Sequence, residues 1–493
     1  MYFVKFYQFN GGLNRMSNTA ESLAAKRIAA LLDENSFVEI GALVTGRSTD
    51  FGVSQSETPS DGVITGYGVI DGNLVYVYSQ DASVLGGTIG EMHARKITGI
   101  YDLAMKMGAP VIGLIDCAGL RLQEATDALN AFGQIYMKQT LASGVIPQIT
   151  AVFGTCGGGL ALVPGLTDFT FMEGKSAKLF VNTPNALAGN REDKNNTASA
   201  AFQSEKAGLV DFVGTEEEIF AGIRGLVNLL PASNEDDVPA AECQDDLNRI
   251  CTDLANAAGD TSILLSQIAD DGEFVEVKAA YAKDMVTGFI RLNGSTVGAV
   301  ANRTEVYDAD GNKAEEFDAV LSAEGCSKAR RFVEFCDAFD IPVLTLTNVT
   351  GFKADEASEM CIAKAAAGLT YAFANATVPK VNVVIGKAFG NAYNVMNSKA
   401  IGADMTYAWT QAEIGMMDAQ LAAKIIYADK DGAAQSELAA EYASLQGSAL
   451  SAARRGYVDA VIDAENTRKY VIGAFEMLYT KREDRPVKKH GTV

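Results

Sequence analysis

At 493 residues the chain is too long for one compact core, so two or three domains are expected. Its formal net charge of -21 argues against a nucleic-acid surface, which needs concentrated cations, so any anionic ligand must find a local donor site. Seven cysteines without a C-x-x-C pair offer no zinc or dithiol motif and fit a reducing cytoplasm, and no apolar run is long enough to span a bilayer.

The first fifteen residues, MYFVKFYQFNGGLNR, lack the apolar core of a signal peptide and do not match the patterned chain that follows. Gly11-Gly12 reads as a translated ribosome-binding sequence upstream of Met16. Residues 1–15 are therefore expected to be a non-native extension. From Ser17 to Leu32 an amphipathic helix is expected, capped by Ser17 or Thr19. Two strands follow in GVITGYGVIDGNLVYVYSQD, joined by an Asp71-Gly72 hairpin turn. A helix ending at Gly108 feeds a buried strand, APVIGLID. A second helix, Leu129 to Ser143, feeds another strand, Val145 to Phe153. This alternation implies strands covered by helices.

That last strand runs into glycines at 154, 157, 158 and 159 and then a small-residue helical pattern. Glycine lets the backbone adopt unusual dihedrals and lets a ligand approach peptide N–H groups. The first amides of the following helix lack internal partners and carry the positive end of its dipole. The turn suits a phosphate cradle, an oxyanion hole or close packing alone. Further on, residues 185–200 read as a loop or lid, and the acidic stretch 231–260 marks a domain boundary that includes a short helix.

A second copy then begins. A shift of 232 residues superposes Pro110 on Pro342, Gly119 on Gly351, Pro147 on Pro379, Gly154 on Gly386 and Gly158 on Gly390. Thr65-Gly66-Tyr67 pairs with Thr287-Gly288-Phe289, and Asp168-Phe169-Thr170 with Asp404-Met405-Thr406, at slightly different shifts. An internal duplication gives the chain two glycine turns, the second in GKAFGNAYNVM. The expected domains are 16–240 and 263–493, joined by an acidic linker at 241–262.

Other motifs have plainer readings. Gly154-Thr155-Cys156-Gly157-Gly158 fits a nucleophile elbow, but that chemistry wants a basic partner and the chain has only His93 and His490. Cys156 therefore reads as a small packed residue. Gly174-Lys175-Ser176 lacks the earlier glycine of a phosphate-binding loop, whose position is Phe169. Ala104-Met105-Lys106-Met107 spells a biotin attachment site, yet Lys106 falls at the end of a helix. Glu124 and Asp127 read as a solvated carboxylate face.

The pieces LASGVIPQI with GTCGGG, LTDFTFM, YAFANATVPKV, KAFGNAYNVM and RRGYVDAVID carry a family pattern from about Ser17 onward. With them the chain resembles the carboxyltransferase subunits of biotin-dependent acyl-CoA carboxylases of the propionyl-CoA β type. It equally resembles the α subunits of sodium-pumping methylmalonyl-CoA or glutaconyl-CoA decarboxylases. The resemblance implies an α/β fold of two duplicated crotonase-like ββα-superhelix domains, usually assembled as a trimer of dimers. It implies an enolate hole in the N–H groups of Gly158 and Gly159, and a hole for the biotin ureido oxygen in those of Asn391 and Ala392. Gly119, Cys156, Gly157, Gly351, Gly390 and Asn394 would line the substrate positions. Biotin would come on a carboxyl carrier protein, release CO2 in the site and take the α-proton of the coenzyme A thioester. A biotin carboxylase or a membrane decarboxylase subunit would be a further partner. Metal and nucleic acid have no place in this reading.

The chain departs from that family at Asp116-Cys117-Ala118-Gly119-Leu120-Arg121, where D-S-G-G-A-R is usual, and at Asn348-Val349-Thr350-Gly351, where F-L-P-G is usual. Asn391 replaces a glycine, and its tolerance of positive φ is expected to preserve the second hole. Asn394 stands where Asp often marks acyl choice. A degenerate scaffold is the alternative if these changes close the cleft. A crotonase-type hydratase or thioesterase would need a side-chain acid or base near Gly158.

Overall fold

The computed structural model describes residues 22–47, 51, 58–308 and 310–488. The expectations for residues 1–15, Met16, Ser17, Thr19 and His490 lie outside these described residues. The first helix spans Leu23–Leu31, and Ser22 is its N-cap, accepting a hydrogen bond from the Ala25 N–H at 3.2 Å.

The first sheet comprises β1 (Val38–Glu39), β2 (Val63–Ile70), β3 (Asn73–Gln80), β4 (Val111–Cys117), β5 (Gln148–Gly157), β6 (Phe169–Glu173), β7 (Lys178–Phe180) and β8 (Phe212–Gly214). Its order is β1-β2-β3-β4-β5-β6-β8, with β7 also on β5. The first three strands are antiparallel, and from β3 onward the pairing is parallel. Parallel neighbours need crossovers, which the helices Glu91–Met107 and Ala125–Ala142 supply. β4 and β5 read as nearly unbroken apolar runs because helices cover both faces.

The rest of the chain repeats this plan. Its strands are β9 (Phe274–Val277), β10 (Met285–Leu292), β11 (Ser295–Asn302), β12 (Glu305–Tyr307), β13 (Lys313–Glu316), β14 (Val320–Leu321), β15 (Val343–Val349), β16 (Gly351–Phe352), β17 (Lys380–Phe389), β18 (Met405–Trp409), β19 (Glu413–Gly415) and β20 (Ala460–Ile462). The second sheet runs β20-β18-β17-β15-β11-β10-β9 with β19 also on β17, and two small ribbons pair β12 with β13 and β14 with β16. Even the hairpins match. Asp71-Gly72 and Asn293-Gly294 both hold positive φ, as a two-residue type I′ turn requires.

The two sheets share a core. Phe169 packs edge-on against Phe335 at 4.8 Å, and Phe289 packs on Phe332 at 5.0 Å. Polar ties cross the same seam: Lys278 pairs with Asp211 at 3.0 Å, and the Arg331 guanidinium donates to the Thr167 carbonyl at 2.5 Å. The acidic stretch leans on the second sheet, where Ala241 N–H donates to the Gly294 carbonyl at 2.9 Å and Arg468 pairs with Asp245 at 3.3 Å. The short helix expected within it is a 3₁₀ turn, Leu254–Ala257, and the α-helix Thr261–Ile268 follows just beyond it. Residues 187–199 form a loop between the 3₁₀ turn Pro184–Ala186 and the helix Ala200–Glu205.

Candidate active site: two glycine turns

β5 runs four residues beyond the expected strand, to Gly157, so the turn itself is narrower than the glycine cluster suggests. Gly158 takes φ +64° and opens a 3₁₀ helix, Gly158–Leu162, followed by a short helix, Val163–Leu166. As the first residues of that 3₁₀ helix, Gly158 and Gly159 have N–H groups without partners inside it. Gly158 is partly exposed and Gly159 exposed. Apart from its chain neighbours, no atom of the described residues lies within 4 Å of a Cβ built on Gly158, so its conformation rather than crowding demands glycine. Gly119, with φ +109°, faces this turn from the end of β4, its Cβ position 3.7 Å from the Gly157 carbonyl. Cys156 is paired with Cys117 across the ladder. The five first-half candidates thus converge.

Gly154 does something else. A Cβ there would lie 2.0 Å from the Asp116 Oδ1, so this glycine makes room for a carboxylate at a bulge between β4 and β5. Asp116 in turn pairs with Arg27 at 3.2 Å. The 232-residue shift carries this pair to Gly386 and Asn348, where a Cβ would meet the Asn348 Oδ1 at 2.5 Å, beside the same bulge between β15 and β17. Here the Asn348 oxygen accepts the Lys387 N–H at 2.9 Å.

The second turn follows the same plan with one difference. Gly390 takes φ +59° and begins a regular α-helix, Gly390–Val395, so Asn391 and Ala392 present first-turn amides. The positive φ thus falls on Gly390, and the tolerance expected of Asn391 is not called upon. Asn391 is exposed and Ala392 buried; the Asn394 amide donates to the Asn391 Oδ1 at 3.4 Å. Gly351 lies on β16, which touches this helix. Within one chain the two turns belong to separate sheets, and a cavity of about 460 Å³ at the seam between the sheets is lined by neither turn.

Among the described residues, side chains near the first turn offer no strong acid or base. Cys156 is fully buried, and burial pushes its thiol well above the ordinary range. His93 is also buried, with Nδ1 2.9 Å from the Asp61 carbonyl and Nε2 3.1 Å from the Gln80 amide; burial and the Arg121 charge depress it to about 3, leaving it neutral. Glu124 corrects the solvated-face reading. It is 3% exposed, accepts from Arg121 at 2.9 Å and from the Glu91 N–H at 2.6 Å, while Asp127 stays exposed beside Arg47. Arg121 also donates to Asp61 at 2.5 Å, forming a buried three-charge cluster that anchors the 116–121 segment. Lys106 lies in the last turn of the helix Glu91–Met107. Among the described residues no group of three or more His, Cys, Asp or Glu could hold a metal ion.

Comparison with known proteins decides the family. The carboxyl transferase domain model matches residues 17–493. The chain belongs to this family. It is 38% identical over 504 residues to the methylmalonyl-CoA decarboxylase subunit alpha of Propionigenium modestum, covering 98% of this chain and 96% of that protein. It is 40% identical over 484 residues to the propionyl-CoA carboxylase beta chain of Roseobacter denitrificans, covering 95% and 93%. A solved structure of transcarboxylase 12S, a hexamer with hydrolysed methylmalonyl-CoA bound, superposes with TM-score 0.88 at 35% identity, covering 95% of this chain and 92% of that one. This carboxyl transferase is accordingly a biotin-dependent acyl-CoA enzyme with duplicated crotonase-type halves. No helix among its described residues is long and apolar enough to cross a membrane.

Sequence reasoning missed two features of this carboxyl transferase. One is the pair of packing contacts, Asp116 on Gly154 and Asn348 on Gly386, for which matched polar residues at the duplication shift are a retrospective signal. The other is Tyr136, whose hydroxyl donates to the Gly159 carbonyl at 2.6 Å; nothing in the local pattern marks it.

Proposed function

We propose that the chain moves a carboxyl group between biotin on a carrier protein and the α-carbon of a short acyl-CoA of the propionyl- or acetyl-CoA type, in the cytoplasm. The observation that carries this is the pair of matched turns, each a positive-φ glycine at a strand end followed by first-turn amides. On this reading the domains are 16–240 on the acyl-CoA side and 263–493 on the biotin side, with 241–262 as linker.

The Gly158 and Gly159 N–H groups donate to the thioester oxygen as negative charge develops there. Gly119, Cys156 and Gly157 shape the floor beside them. Preorganised backbone donors stabilise that charge without a side-chain base, consistent with a neutral His93 and a buried Cys156 thiol. Asn391 and Ala392 donate to the biotin ureido oxygen, flanked by Gly351 and Gly390, and Asn394 bears on acyl choice. The neutral oxygen of a cyclic urea suits backbone N–H donors, so the residues present fit the group. A bound biotin would supply the carboxyl group and accept the α-proton in one direction, and would receive the carboxyl group and return a proton to the α-carbon in the other.

The site is completed by a second copy, the first half of one subunit facing the second half of its partner; that neither turn lines the seam cavity within one chain supports this reading. The hexameric relative supports such an assembly. Biotin carboxylase would be the further partner of a carboxylase, and a membrane subunit that of a decarboxylase. Decarboxylase relatives support the second direction as much as carboxylase relatives support the first. Incubating the oligomer with methylmalonyl-CoA or malonyl-CoA and free biotin tests the proposal. Carboxyl transfer is expected; coenzyme A binding without transfer would favour a scaffold. A biotin carboxylase gene or a sodium-pump subunit gene beside this one separates the two directions.

A further inference from the structure

The first turn carries three consecutive glycines, Gly157 to Gly159, and such a run has little conformational preference of its own. Among the described residues, one side-chain hydrogen bond reaches it: the Tyr136 hydroxyl donates to the Gly159 carbonyl at 2.6 Å. Tyr136 stands on the helix Ala125–Ala142, one turn after the buried Phe132, with ring centroids 6.0 Å apart. Both side chains flank Gly159. A Cβ built there would lie 2.9 Å from the Tyr136 Oη and 3.8 Å from Phe132. Burial and the neighbouring Cys156 raise the Tyr136 hydroxyl above its ordinary value, so it remains a donor at neutral pH.

The second half handles the same problem differently. The duplication shift carries Tyr136 to Gly368, which has no side chain to offer, and the Cβ position there is occupied by Arg330 at 2.8 Å. The second turn instead opens a regular α-helix whose end is held by a buried amide, itself held by a buried hydroxyl. Asn382 donates to the Met396 carbonyl at 3.3 Å, and Thr347 donates to the Asn382 oxygen at 2.8 Å.

We propose that Tyr136 is a positioning residue for the first turn. Its hydroxyl, donated to the Gly159 carbonyl, fixes the orientation of the three-glycine run so that the Gly158 and Gly159 N–H groups face the reacting thioester. The proposal rests on the acyl-CoA role assigned to that turn. It makes Tyr136 specific to the enolate step, since it has no counterpart in the second half.

The test is Tyr136→Phe in the full oligomer, which keeps the ring and removes the hydroxyl. Amide hydrogen exchange across residues 157–163 should speed about fivefold, with the rest of the chain unchanged. In the methylmalonyl-CoA to free biotin assay kcat should fall about tenfold, less than outright loss of a donor would cost, while KM for the thioester and the melting midpoint stay put. Unchanged exchange, or faster exchange with wild-type kcat, overturns the positioning role. A rise in KM at constant kcat overturns it too, because the hydroxyl then serves ground-state binding. If the wild type itself transfers nothing, the assigned activity falls. The exchange measurement alone then decides whether Tyr136 holds the turn.

Discussion

Gly158→Val is the sharpest perturbation of the first turn. Holding a β-branched residue at φ +64° costs about 1–3 kcal/mol, and among the described residues no non-adjacent atom within 4 Å of the Cβ position adds to it. The turn can keep its shape at that cost in stability, or relax to negative φ and swing the Gly159 N–H away. In the second case the hole proposed for this turn loses a donor, an effect of about 10²–10³ in kcat, or about 2.7–4 kcal/mol of barrier. The strain is smaller than a typical folding margin of about 5–15 kcal/mol, so the subunit should still assemble. Gly72→Val supplies the control. Gly72 also has positive φ, +86°, and open space around its Cβ position, but it lies in the β2–β3 hairpin turn. It should show comparable strain with wild-type kcat. The assay is carboxyl transfer from methylmalonyl-CoA to free biotin, with assembly checked by size-exclusion chromatography. Wild-type turnover in Gly158→Val, or equal loss in Gly72→Val, would refute the assignment of catalysis to the turn.

Gly390→Val should abolish transfer to biotin in the same assay, since φ is +59° and the Cβ position lies 3.2 Å from the Met416 carbonyl. Cys156→Ala should keep its rate within about threefold and lose about 1 kcal/mol of stability, measured by denaturant titration, because the thiol packs rather than reacts. Arg121→Met leaves Asp61 and Glu124 buried without their counter-charge and should destabilise the fold by about 3–5 kcal/mol on the same measure. His93 is depressed from 6.5 to about 3, so between those values the unfolded chain binds the extra proton and stability rises with pH. His93→Gln should remove that contribution, lowering the slope of stability against pH by up to about 1.4 kcal/mol per unit inside the window. An unchanged slope would place a charged imidazole in the core.

The duplication was legible because Pro, Gly and Asp mark backbone turns that a fold cannot relocate: Pro147 and Pro379 both open strands, and Gly158 and Gly390 both close them. The Asp71-Gly72 hairpin was visible for the same reason, whereas its counterpart at Asn293-Gly294 emerged only from the structure. What local pattern could not reveal is contact across distance. Glu124 looked like one half of a surface pair with Asp127, yet its partners are Arg121 and, through it, Asp61, which lies 60 residues from that arginine. Gly154 looked like part of the turn because every glycine in a cluster carries the same local signal. Its reason for being glycine is the side chain of Asp116 on the neighbouring strand. Tyr136 sits in an ordinary helical face, and only the crossing of that helix over the end of β5 gives its hydroxyl a task.

The Asp116–Gly154 and Asn348–Gly386 pairs also bear on how such a duplicated chain can change. In each half the volume beside the bulge belongs to two positions at once, so neither can drift alone. Gly154→Ala should be severe by itself and tolerable once residue 116 is reduced to glycine. The two halves already differ in what they place there, an aspartate tied to Arg27 in one and a neutral amide in the other. Across related sequences positions 116 and 154 should covary, as should 348 and 386. The electrical character beneath each turn can thus diverge between the halves while the backbone above it stays in step.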